Sequence, residues 1–130
     1  MVIKGKLEQE LAQMSDQEAR DFLDEFNLSA YAADRVISKS YELLGLISFF
    51  TVGADEVKAW TARQNTPAED AAGIIHSDFK KGFIRAEVVA YNDLKEADNY
   101  AEARKRGRVR LEGKTYCVQD GDIITFRFNV

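Results

Sequence analysis

The run Leu46-Ile47-Ser48-Phe49-Phe50-Thr51-Val52-Gly53-Ala54-Asp55-Glu56-Val57-Lys58-Ala59-Trp60-Thr61-Ala62 decides the fold. Upstream of it apolar residues recur at helical spacing; from Leu46 onward they recur at period two. Residues 46–52 and 56–62 are short segments rich in aromatic and β-branched side chains, and Gly53-Ala54-Asp55 between them suits a hairpin loop.

Downstream, Thr66-Pro67-Ala68-Glu69 sets an N-cap threonine, an N1 proline and an N3 glutamate in a row, which predicts a helix start. Its inner face is Ala68, Ala71, Ala72, Ile75 and Phe79, small enough at one end to lie close against a sheet, and Gly82 ends the unit. Residues 83–91 read as a longer strand. Residues 92–107 are polar and read as a loop with one short helix, then a basic loop. Two closing strands, residues 114–119 and 122–128, meet at Asp120-Gly121, with Phe126 and Phe128 assigned to the core. Hairpin, helix, strand, irregular crossover and closing strands give an α+β, β-grasp (ubiquitin-like) order.

Toward the N-terminus the reading is helical. Ser15-Asp16-Gln17-Glu18 is a capping box, in which the serine hydroxyl accepts from the N3 amide and the glutamate reaches back. Ala19, Phe22, Leu23 and Phe26 follow at i, i+3, i+4 and i+7 as a buried stripe. A second helix over residues 30–44 sets Ala33, Val36, Ile37, Tyr41 and Leu44 on one face, with Gly45 as its C′ residue. The expected division is a helical segment over residues 1–45 and a β-grasp domain over residues 46–130. The short junction carries no Pro/Gly/Ser linker, which implies packed rather than tethered parts.

Composition bounds the function. At 130 residues, 45% hydrophobic and 31% charged, the chain can bury a core, and no apolar run approaches the ~18 residues of a membrane span. Cys117 is the single cysteine, which excludes an intrachain disulfide and fits a reducing cytoplasm. A net charge of −4 excludes a globally basic nucleic-acid binder, yet the charge is segregated. Residues 1–44 carry five basic and nine acidic side chains, a net of −4, whereas residues 80–114 carry ten basic and six acidic, a net of +4.

Three features invite chemistry, of which two fail its requirements and one stays open. Gly113-Lys114-Thr115 resembles the end of a phosphate loop, but Arg108 stands where the first glycine belongs, and a helix precedes it where a strand is needed. His76 is the sole histidine, too little for a His/Cys metal cluster, and reads as a helix-end residue that hydrogen-bonds locally. Trp60 either stacks a base or covers core. The basic run is different. Arg104, Lys105, Arg106, Arg108 and Arg110 repel one another and gain from phosphate, while cations also favour a helix C-terminus. With Lys80, Lys81 and Arg85 from the neighbouring element, they form the candidate phosphate-contacting surface, one that contacts backbone rather than reading bases.

The stretches Ile75-His76-Ser77-Asp78-Phe79-Lys80-Lys81-Gly82-Phe83-Ile84-Arg85 and residues 116–130, with Tyr41-Glu42-Leu43-Leu44-Gly45-Leu46 and Glu56-Val57-Lys58-Ala59-Trp60-Thr61 upstream, resemble the C-terminal part of the YchF-type, Obg-like P-loop ATPases. The resemblance implies that residues 46–130 form the TGS domain, a β-grasp fold, and that residues 1–45 end the family's nucleotide domain. His76-Ser77-Asp78 would then be a structural turn. Lys4 and Gly5 depart from the family's base-contacting Ser/Cys-Ala element. ATP or GTP with magnesium would belong to an upstream P-loop domain, with no cofactor in this chain and no hydrolysis by it alone. Expected partners are the ribosome or RNA and that upstream domain, in the cytoplasm. The alternative is a regulatory domain that docks on its own nucleotide domain and controls access to it.

Overall fold

The computed structural model describes residues 1–28 and 30–129; Ser29 and Val130, the expected C-terminal limit of the domain, lie outside the described residues. The chain divides into two compact units, Met1–Leu44 and Gly45–Val130. Among the described residues no helix is long and apolar enough to cross a membrane.

The first unit holds three helices, α1 (Gly5–Ala12), α2 (Asp16–Glu25) and α3 (Ala32–Leu44). The capping box forms as expected: Ser15 Oγ accepts from the Glu18 amide and Glu18 Oε2 from the Ser15 amide. Glu8 of α1 accepts from the Ala32 amide at 3.0 Å and faces Arg35 at 3.6 Å, tying α1 to the start of α3. Leu11, Ala19 and Ala32 are buried, and Phe22 and Leu23 are half-buried. Two faces depart from expectation. Phe26 is exposed although its ring lies 4.5 Å from Phe22, and the expected α3 face, Val36, Ile37, Tyr41 and Leu44, is exposed along its length. Three short helices supply too little apolar surface to cover it.

The second unit is a five-stranded sheet in the order β2-β1-β5-β3-β4, the β-grasp order. Its strands are β1 (Leu46–Val52), β2 (Val57–Arg63), β3 (Phe83–Ala90), β4 (Arg110–Glu112) and β5 (Asp122–Phe128). β1 and β2 form the expected hairpin, β1 and β5 run parallel, and β3 is antiparallel to both β5 and β4. α4 (Ala68–Ile75) lies across one face on Ala68, Ala71 and Ala72, all fully buried. Beneath them Ile47, Phe49, Ala62, Phe83, Ala86, Val88, Val118 and Ile124 complete the core. The opposite face is covered at one end only, where α6 (Tyr91–Ala97) and α7 (Tyr100–Lys105) place Ala97 and Ala103 against Val89 and Ile123.

Several local expectations are corrected. Residues 114–119 are no regular strand; their only pairing is an isolated bridge between Pro67 and Cys117, and the short strand beside β3 is β4 instead. The alternation Tyr116, Val118 mimics a strand, but Tyr116 N–H turns back onto Gly113 O, and the segment serves α4: the Ala68 and Glu69 amides donate to the Tyr116 and Lys114 carbonyls. That backbone cap replaces the expected Thr66 cap. Pro67 is the N-cap residue, and Thr66 Oγ1 donates to the Arg63 carbonyl. The helix breaks at His76, whose Nδ1 accepts from the Asp78 amide at 3.1 Å and caps α5 (Ser77–Lys81), the local role expected of it. Residues 91–105 hold two short helices rather than one, because Asp98 takes a left-handed conformation between them. Phe128 is exposed and stacks on Phe79 at 4.0 Å rather than entering the core.

Candidate nucleic-acid interface

The strand alternation sorts the candidate cations. Ala86 and Val88 of β3 face α4, so Arg85 and Glu87 face the uncovered side. On β5, Ile124 and Phe126 face α4, and Thr125 and Arg127 lie opposite. Arg110 pairs with Val88 and Leu111 with Glu87, so Arg110 stands on the helix side and Leu111 on the open side. The basic run therefore wraps the β4 edge of the sheet and does not form one patch.

Lys80 and Lys81, at the end of α5, stand on the helix side. Lys80 Nζ is 2.7 Å from Asp70, and that hydrogen bond, with the attraction of the same carboxylate, raises its pKa. Arg106 is paired with Glu102 at 3.0 Å, one helical turn away. Arg110 lies 3.6 Å from Glu112, donates to the Tyr116 hydroxyl at 3.3 Å and sits over that ring. Arg104 pairs with Glu87. Among the described residues, Lys81, Arg85, Lys105 and Arg108 have no carboxylate partner, and Arg85 donates only to the Ile84 carbonyl.

Sequence reasoning missed two residues here. Glu87, with a side chain only 9% exposed, receives Arg104 on one carboxylate oxygen and Arg127 on the other, the latter at 2.8 Å. With Val109 and Leu111 these side chains line a shallow depression of about 200 Å³. The alternation of Arg127 with Phe126 and Phe128 carried the signal for its face; nothing local announced Glu87 as its partner. Trp60 is half-buried against the core, donates to Thr51 at 3.0 Å and lies under Lys58 Nζ at 4.3 Å, so it covers core.

Gly113-Lys114-Thr115 forms no phosphate cradle. It directs the Lys114 carbonyl at the α4 N-terminus, and Lys114 Nζ faces Glu69 at 4.0 Å, the reverse of a cradle of free N–H donors. The described residues also contain no cluster of acidic, histidine or cysteine side chains able to hold a metal.

Fold and surface together define a β-grasp domain with one open, arginine-bearing sheet face. The chain belongs to the YchF-GTPase_C family, described as a protein of unknown function (DUF933), which matches residues 46–129. It is 51% identical over 130 residues to the "Ribosome-binding ATPase YchF" of Bacillus subtilis, covering all of this chain and 36% of that protein. To the "Obg-like ATPase 1" of Gallus gallus it is 48% identical over 125 residues, covering 96% and 31%. The solved Schizosaccharomyces pombe YchF GTPase superposes with a TM-score of 0.76 at 35% identity, over 91% of this chain and 31% of that one. The chain thus spans about a third of the length of the relatives it matches.

Proposed function

We propose that this chain is the C-terminal binding part of a YchF-type ATPase and that its β-grasp domain contributes contacts to ribosomal RNA. The observation that carries the reading is identity along the whole chain with a relative named for ribosome binding. Four exposed cations without a carboxylate partner among the described residues, Lys81, Arg85, Lys105 and Arg108, support it, because phosphate supplies the counter-charge that those residues do not. Residues 1–45 end the nucleotide domain in this reading, and ATP or GTP with magnesium is held by the rest of that domain. The chain contributes binding and no hydrolysis, since its described residues form neither a phosphate cradle nor a set of magnesium ligands to position a γ-phosphoryl group. The protein works in the cytoplasm, where ribosomes are.

Co-sedimentation of the 130-residue chain with ribosomes across a salt series tests this. Binding at low salt that falls steeply as salt rises is expected; an empty ribosomal pellet at low salt refutes it. A second reading, docking on the parent's own nucleotide domain, is favoured by one observation: the exposed apolar side chains Val36, Ile37, Tyr41, Leu43 and Leu44 of α3. Apolar docking is insensitive to salt, so association with a separately produced nucleotide domain that survives high salt would favour that reading.

A further inference from the structure

On the uncovered face of the sheet, two arginines converge on one carboxylate and a third stands beside them. We infer that Arg85, Arg104 and Arg127, organised around Glu87, form a phosphodiester site for single-stranded RNA. This rests on the ribosomal-RNA reading above and names the surface that makes the contact.

Arg85 and Arg127 are direct cross-strand partners on β3 and β5, which sets two like charges side by side on one face. Such pairs are destabilising unless something neutralises them. Glu87 offsets part of the charge, but it is shared by Arg104 and Arg127, and among the described residues Arg85 finds only a backbone carbonyl. The cluster keeps an excess of two positive charges, and the missing counter-charge is an anion.

Glu87 also orients the cluster. Its buried carboxylate gives one oxygen to each of two guanidinium groups, Arg104 from α7 and Arg127 from β5. A guanidinium has five N–H donors in a fixed fork, and the side chains of Arg104 and Arg127 remain 60% and 56% exposed. Donors are thus left facing solvent in a fixed orientation, the arrangement that suits bidentate phosphate recognition. Glu87 is a positioning residue.

The surroundings favour a nucleic-acid strand over an acidic protein segment. Exposed Thr125 adds a hydroxyl between the arginines and the hairpin, and exposed Leu111 gives an apolar surface for a ribose or base edge. At the level of Thr125 the face continues toward β2 with the exposed, uncharged Val52 and Val57, across which a strand can run. RNA carries a charge at every nucleotide, which matches three arginines gathered in one patch.

The test measures fluorescence anisotropy of a labelled, mixed-sequence RNA of about 12 nucleotides, within the site sizes such surfaces cover. The whole chain and its variants are titrated at several salt concentrations. Arg85→Ala with Arg127→Ala should weaken binding by about tenfold and reduce the log–log salt slope by roughly 1.4, the value for two phosphate contacts on a single strand. Glu87→Gln keeps an acceptor for one of the two guanidinium groups and removes the opposing charge, so it should tighten binding by a few fold. Should the double variant fail to melt cooperatively, Arg85→Ala alone, which breaks no ion pair among the described residues, must still weaken binding measurably. No RNA binding by the unmodified chain at low salt overturns the ribosomal-RNA reading and this site with it. RNA binding unchanged in the arginine variants, or not tightened by Glu87→Gln, overturns this site alone. Polyglutamate bound as tightly as RNA would assign the face to an acidic protein and overturn the inference.

Discussion

Tyr116 concentrates the chemistry of the closing loop in one side chain. Its hydroxyl donates to the buried Asp122 at 2.6 Å, and Asp122 also accepts from the Gln119 amide at 2.9 Å. Burial, with the hydrogen bond to Asp122 next, pushes the phenol up to about 12. A folded-state pKa above the unfolded value of about 10 stabilises the fold while the phenol stays protonated. That contribution is complete below pH ~10 and is lost as pH rises toward about 12. Tyr116→Phe should therefore cost about 1–2 kcal/mol at neutral pH, since it removes a hydrogen bond to a carboxylate. Denaturant melts of the two proteins should converge between pH 10 and 12; a gap that stays constant would contradict the assignment. Charge partners like these were the least legible part of the sequence. Arg104 looked like one member of a basic run, yet its partner Glu87 lies 17 residues upstream, and Glu87 meets Arg127 40 residues away. Side chains that far apart in sequence are matched only by the strand register.

The capping box and the hairpin, whose determinants are local, form as the sequence predicts, whereas residues 114–119, which depend on a distant neighbour, do not form the expected strand. The capping box at Ser15 and Glu18 needs only four consecutive residues, and it forms. Ser15→Ala should cost about 1 kcal/mol, read as a loss of helical signal from the first unit on mild heating. The hairpin is equally local: period-two alternation on either side of Gly53 sets the pairing of Phe49 with Trp60. Residues 114–119 behave otherwise. Their alternation suggested a strand, but their hydrogen bonds go to the α4 N-terminus and to Thr66, whose carbonyl accepts from the Val118 amide at 3.0 Å. Val118 is itself 2% exposed and belongs to the main core, so it anchors the loop that caps the helix. Val118→Ala should cost roughly 1–3 kcal/mol through the cavity left behind. It should also speed hydrogen exchange at the Ala68 and Glu69 amides more than at strand amides of β3. Equal acceleration everywhere would mean that the loop does not cap α4 as a local unit.

At the scale of the whole chain, the change of periodicity at Gly45 was visible in the sequence, and Gly45 adopts the positive φ of +66° that a glycine after a helix accommodates. The charge segregation was visible too, although the sheet divides the cations between two faces and half of the candidates are held by carboxylates of the same chain. What periodicity could not convey was how unevenly apolar burial is shared. The second unit closes its core with Phe49, Val88, Ala72, Val118 and Ile124, each at most 2% exposed, whereas the first buries only Leu11, Ala19 and Ala32 among its apolar residues and leaves Leu43 and Leu44 open. A sheet closed over a helix carries its own stabilisation, while three short helices with an uncovered face do not. Removing residues 1–44 should therefore leave residues 45–130 folded, with a cooperative thermal transition shifted by no more than about 5 °C, the equivalent of about 1 kcal/mol for a domain of this size. Residues 1–44 alone should show weak helicity without a cooperative transition, because a helical face that lacks its cover gains little from tertiary packing. Calorimetry of the two pieces decides it: a second unit that melts without cooperativity on its own would show that its core depends on the helices before it.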